Sequence, residues 1–157
     1  MITVELIGKE RLVARLRALS PEVKASLRQA LLRGAIAVQG RATGVYLSAG
    51  PGYSPDKLHR RTGTLSHSVH TIGPEETADG LEARVAAGRD APYARVHEFG
   101  GAFQIPDHVR RTMRGGVSNV RAHTATYPER SFLRRSLGDM APQISAEIRA
   151  ALKDSLR

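Results

Sequence analysis

Apolar and polar positions alternate from the first residues: Ile2, Val4 and Leu6 fall on one side and Thr3, Glu5 and Ile7 on the other, until Gly8 ends the run. That period predicts a short strand with one buried face. From Lys9 the period lengthens. Leu12, Val13, Leu16 and Leu19 share a helical face, with Lys9, Arg11, Arg15 and Arg17 on the others, so a short amphipathic helix is expected. Ser20-Pro21-Glu22 then opens a longer helix. Ser20 accepts from orphan amides, the fixed φ of Pro21 suits the first helical position, and the Glu22 charge favours the positive end. Val23, Leu27, Leu31, Gly34, Val38, Ala42 and Val45 keep helical spacing as far as Leu47. Gly34, Gly40 and Gly44 each weaken such a helix by about 1 kcal/mol relative to Ala, which points to another backbone approaching closely at these positions, either within the subunit or across an interface.

Ala49 to Asp56 reads AGPGYSPD and is a loop. After the turn at Thr62-Gly63, Val69 to Ile72 opens a strand, Pro74 to Gly80 is turn-like, and Leu81 to Ala87 alternates as the hairpin partner. Pro92 to Phe99 reads as a short helix or turn. Within it Ala94, Val96 and Phe99 are expected to face inward, with Tyr93 and Phe99 anchoring the core, while Arg95, His97 and Glu98 stay near the surface. Gly100 and Gly101 permit a sharp reversal. The stretch that follows has weak periodicity, with GAFQI and VRAHTAT as strand fragments around DHVRRTMRGGVSN. Arg110, Arg111 and Arg114 oppose Asp107 alone there, and the Gly115-Gly116 pair implies a mobile tip, so a long hairpin with a basic end is expected. Phe132, Leu133 and Leu137 begin a last helix, which Gly138 and Pro142 interrupt or restart before Ile144, Ile148 and Leu152 continue its stripe. The sum is an α+β domain over residues 1–157, with the long N-terminal helix and the C-terminal helix packed on a small, mainly antiparallel sheet.

Composition narrows what such a domain does. A net charge of +9, from 24 Lys and Arg against 15 Asp and Glu, attracts polyanions without choosing among nucleic acid, lipid and acidic protein. Aromatics are 4% of the chain with no Trp, so stacking platforms for single strands are scarce. Cys is absent, which removes disulfides and thiolate metal sites. No apolar run approaches the ~20 residues of a membrane span, and Met1 leads into ITVELIG without a signal-peptide pattern, so a protein made and used without secretion is expected.

Candidate chemistry is sparse. His97-Glu98 invites a zinc-peptidase reading, but the motif needs a second His at position 101, which is Gly. His67 and His70 lack a third ligand at a persuasive spacing, and no Gly-x-Ser-x-Gly elbow activates a serine. No cofactor or metal is expected. The Arg-rich stretches at Lys57 to Arg61, Arg110 to Arg121 and Arg130 to Arg135 suit either phosphates or a solvated surface. Two function classes therefore stand beside a structural protein: a nucleic-acid-binding module using these Arg clusters, and a basic nuclease using one His and one Glu.

Four motifs in order carry a family resemblance. Thr62-Gly63-Thr64-Leu65-Ser66-His67-Ser68 follows the helical part, then Val85-Ala86-Ala87-Gly88, then Tyr93 to Gly100 as Tyr-Ala-x-x-x-Glu-Phe-Gly, and finally Pro128 to Leu133 ending in Phe132-Leu133. In order and spacing the chain resembles the tail-completion (neck, or head–tail joining) proteins of long-tailed bacteriophages, the family of the lambda Z-like minor tail components. It departs from that pattern at Ser131, where Pro commonly precedes Phe-Leu, and in the length of the segment between Gly101 and Tyr127. The resemblance implies a non-enzymatic virion component, present in host cytoplasm during assembly, that forms a homo-oligomeric ring, with a hexamer favoured. It further implies contacts with other neck and tail proteins. Thr62, Gly63, Leu65, Ser68, Tyr93, Glu98, Phe99, Gly100, Phe132 and Leu133 would be its structural motif, whereas Arg110, Arg111 and Arg114 are candidate contacts with a partner or packaged DNA on their charge alone, because the role of the longer segment from Gly101 to Tyr127 does not carry over from the family.

Overall fold

A computed structural model describes residues 19–50, 54–78, 80–112 and 115–155. The strand expected at Ile2 to Ile7, most of the helix expected from Lys9, and Arg114 lie outside the described residues. The chain is α+β. Helix α1 spans Pro21–Arg41 and continues into one π-helical turn, Ala42–Tyr46. Short helix α2 (Thr64–Ser68) leads to the antiparallel pair β1 (His70–Thr77) and β2 (Gly80–Ala86). Helix α3 (Ala94–Phe99) follows, then β3 (Gly101–Ile105), β4 (His108–Arg111), β5 (Val117–Val120) and β6 (His123–Tyr127), and finally helix α4 (Leu133–Ser155).

The start of α1 follows its sequence signal: Ser20 Oγ accepts from the Val23 amide at 3.4 Å, with Pro21 in the first turn. Val23, Leu27, Ala30, Gly34, Ala35 and Val38 form its buried face. α4 lies antiparallel along α1, pinned by Arg33 to Glu147 at 3.2 Å and Arg41 to Asp139 at 2.8 Å. Between these pins Gly34 lets the helices close, because a Cβ there would stand 3.0 Å from Ile144 Cγ1. Within the subunit, Gly40 and Gly44 show no such approach, since a Cβ on either meets nothing within 4 Å. α4 also differs: it runs unbroken through Gly138 and Pro142. A proline inside a helix removes one amide and crowds the carbonyl four residues back. Here that carbonyl belongs to exposed Gly138, where the backbone can tilt toward water.

Among the described residues the strands form three two-stranded antiparallel ladders, β1–β2, β3–β6 and β4–β5. α1 packs on the first of them. Gln39 joins the two, donating to the Val69 carbonyl at 3.1 Å and accepting from Thr71 Oγ1 at 2.8 Å. β1 runs further than expected, through Pro74 to Thr77, because the register shifts between Ile72 and Glu75. That bulge gives Pro74, which has no amide to offer the ladder, a place outside regular pairing. Ala42, Leu47, Leu58, Val69, Ala94 and Phe132 form a buried cluster where the helices, the first hairpin and α3 meet.

The other two ladders stack end to end as an arm running from Gly101 out to the turn near Gly115 and back to Tyr127. This is the long basic hairpin expected from the sequence. None of its described residues is buried, and Val109 and Val117 are 65% and 72% exposed.

Candidate functional site

The four motifs converge at the root of the arm, and the residue that joins them is Glu98. α3 is short, and its last turn turns Glu98 inward until only 5% of the residue is exposed. There its carboxylate accepts from the amides of Phe132 (2.8 Å), Leu133 (3.0 Å) and Arg134 (3.0 Å) and from Ser131 Oγ (3.0 Å). These are the orphan donors that open α4, so Glu98 caps that helix from a distant part of the chain. Burial alone would raise the carboxyl pKa, but the Leu133, Arg134 and Phe132 amides and the Ser131 hydroxyl together outweigh it and hold it below the ordinary glutamate value. Arg134 closes the arrangement, its guanidinium donating to Glu98 Oε1 (3.3 Å), the Glu98 carbonyl (2.7 Å) and Glu129 Oε1 (3.0 Å). With this many donors on two oxygens, little lone-pair capacity remains for abstracting a proton.

Two of the faces expected within Tyr93 to Gly100 are reversed, at Glu98 and Phe99, while Arg95 is exposed as expected and Val96 and His97 are both half-buried. Glu98 is buried, whereas Phe99 is 57% exposed and lies under the Arg134 guanidinium at 4.8 Å from its ring centre. Tyr93 is 42% exposed and meets the His97 ring edge-on at 5.9 Å instead of anchoring the core. Ala94 is buried as expected. The reversal arises because a six-residue helix shows the core about one residue per turn. Ala94 and Glu98, four apart, take those places.

The remaining motif positions each have a physical reason. Gly63 adopts φ 81°, which starts α2 without strain, and Leu65 packs against the core cluster. Ser68 is buried, donates to the Leu65 carbonyl at 2.8 Å and accepts from the Gly88 amide at 3.2 Å, so the second motif is tied to the first. Thr62 Oγ1 lies 2.9 Å from Thr64 Oγ1. Gly100 has φ 62° and lies so close to the returning chain that a Cβ would stand 2.6 Å from the Glu129 amide nitrogen. Phe132 is 1% exposed in the core cluster and Leu133 packs against it.

Beside this junction lies an open cavity of about 570 Å³, lined by 58–66 together with Leu47, Tyr93, His97 and Arg130. Its floor is Leu47, Leu58 and Leu65, and its rim carries Arg60, Arg61 and His59. Sequence reasoning marked the stretches holding Arg60, Arg61 and Arg130 but not their convergence, which depends on the contact of the loop before α2 with the chain entering α4. Burial, and then the charge of Arg130, hold the His97 pKa below its ordinary value.

At the far end of the arm, Arg110 pairs with Ser118 and Arg111 with Val117, so these two arginines occupy opposite faces of the ribbon. The expected basic end is therefore two-sided. Among the described residues, no group of three His, Asp or Glu side chains is placed to hold a metal ion, and no helix is long and apolar enough to cross a membrane.

These features define a class of protein: an α+β scaffold in which a buried carboxylate and closely packed glycines join a helix pair to an exposed arm. The Phage virion morphogenesis family profile matches residues 37–157, and the chain belongs to that family, one of phage structural and assembly proteins. No curated protein and no solved structure matches it.

Proposed function

We propose that the chain, acting as one domain over residues 1–157, is a structural virion protein of a long-tailed phage or prophage. It completes the tail or joins it to the head, as a non-enzymatic ring-forming component of the neck or tail resembling the lambda Z-like proteins. The observation that carries this reading is the arm. A two-stranded ribbon is marginal in water on its own, and this one has no buried residue among its described positions, so a neighbouring surface would stabilise it. An arm on one part of a subunit that docks on a different part of the next is a heterologous contact, which closes into a ring when the rotation permits. A hexamer and contacts with other neck and tail proteins follow from the resemblance, and the net charge of +9 suits passing contact with packaged DNA.

Complementation of purified heads and tails tests it. Arg110→Gln with Arg111→Gln should leave the fold intact, lower virion yield and make that yield less sensitive to salt, because clustered exposed charges act on association more than on folding. Equal yield at every salt concentration would overturn a role for these residues in assembly. The second reading, a nucleic-acid-binding module, is supported by the exposure of Arg110 and Arg111 on both faces of the arm. It requires salt-dependent affinity of the isolated subunit for duplex DNA that the same substitutions abolish.

A further inference from the structure

We infer that the cavity beside α2 is a docking pocket for an acidic, apolar-centred peptide segment of a partner protein. Its lining joins residues far apart in the chain: Arg60 and Arg61 before α2, His97 on α3 and Arg130 ahead of α4. No Asp or Glu is among the lining residues. Among the described residues, no carboxylate forms an ion pair with Arg60 or Arg61. The Arg60 guanidinium instead lies 3.1 Å from the His67 Nε2. Three leucines form the floor, and the exposed ring of Tyr93 stands at the edge. Charge of one sign around an apolar depression recognises carboxylates flanking an apolar side chain. A DNA backbone is a poorer fit, because its phosphates lie on a broad convex surface and would leave the leucine floor unused. The volume, about 570 Å³, accommodates one or two side chains and the intervening backbone. This deepens the assembly reading, on which it rests for the origin of the partner but not for the binding itself.

The test uses the full chain and a fluorescein-labelled synthetic peptide with a Leu-Leu centre flanked by Glu pairs. Its counterparts are the same peptide with Gln for Glu, and a labelled DNA duplex. Saturable, salt-sensitive binding of the Glu peptide is expected, with weaker binding of the Gln peptide. Arg60→Gln with Arg61→Gln should weaken it about tenfold or more. Arg60→Lys with Arg61→Lys should retain most of it. Arg89→Gln with Arg149→Gln removes the same charge at exposed positions outside the cavity lining and should change binding little. No binding, equal binding of the Gln peptide, equal loss in the distant variant, or tighter pocket-dependent binding of the duplex would each overturn the inference. Peptide binding with normal virion yield from the arm variant would uphold the pocket while removing support for the arm's role in assembly. The reverse pattern would uphold the arm and remove the pocket.

Discussion

Glu98 shows how one side chain can hold a fold together from an unexpected position. Removing its carboxylate strands three helix-opening amides and the Ser131 hydroxyl in a buried place, so Glu98→Ala should cost about 3 kcal/mol in a urea melt. The pH dependence has a definite sign. The folded pKa lies below the unfolded value, so the stabilisation is complete above about pH 4.3 and is lost as pH falls through the folded pKa. Glu98→Gln should flatten that acid limb, and an unchanged acid midpoint would contradict the capping role. His97 works in the same direction at higher pH, because burial and Arg130 depress its pKa. Its contribution is present above about pH 6.5 and is lost as pH falls toward the folded value, and His97→Gln should remove that slope. Phe99→Ala should cost only about 1 kcal/mol, since the ring is largely exposed and its main partner is the Arg134 guanidinium. None of this was legible from residues 93–100 alone. A charged residue beside a phenylalanine reads as surface beside core, and Ser131 stood out only as the position where the family commonly has Pro. The information lay in a contact between positions 34 apart.

At the scale of elements, the helices were the most legible part, because their apolar spacing is local and their packing obeys it. Ser20-Pro21-Glu22 located the start of α1, and the stripe from Val23 to Ala42 located its buried face. The glycines were less legible, since sequence shows the lost Cβ but not what would occupy its space. Gly40→Ala, in open surroundings, should stabilise the protein by about 1 kcal/mol through helix propensity. Gly34→Ala gains the same propensity but forces the Ile144 γ carbons aside, so its stability should fall below that of Gly40→Ala, and the difference should shrink in an Ile144→Ala background, which lacks both γ carbons. Denaturation midpoints of the variants decide this, and equal stabilisation at both positions would show that α1 and α4 are not held at that distance. The unbroken passage of α4 through Pro142 was not legible, because it depends on the exposure of the Gly138 carbonyl rather than on any residue pattern.

For the whole molecule, the fold class and the long basic hairpin were readable from the order of helical and alternating segments, whereas the break of that hairpin into two ladders was not. Nothing in the period of GAFQI or HVRR says where the pairing along the arm is interrupted. The consequence for assembly is measurable. If neighbouring copies or neck and tail proteins cover the arm, amides from 101 to 127 should exchange rapidly in the free subunit and slowly in the assembled particle, while those of α1 and α4 change little. Strong protection of the arm in a proven monomer would contradict that expectation.

The clamp at Glu98 also divides the chain thermodynamically. Gly100 and Glu129 bring the outgoing and returning strands together within contact distance, and Glu98 with Arg134 fastens them on the body's side of that point. Everything from β3 to β6 is therefore a loop whose ends are already closed. The entropy of closing a flexible loop grows only with the logarithm of its length, about 0.6 kcal/mol for each doubling. Reach can thus change by insertion or deletion in register across the ribbon at almost no expense to the helix pair. A version with β4, the turn and β5 replaced by a short Asn-Gly turn should melt within a few degrees of the full chain, leaving the length of the arm to be set by what it must touch.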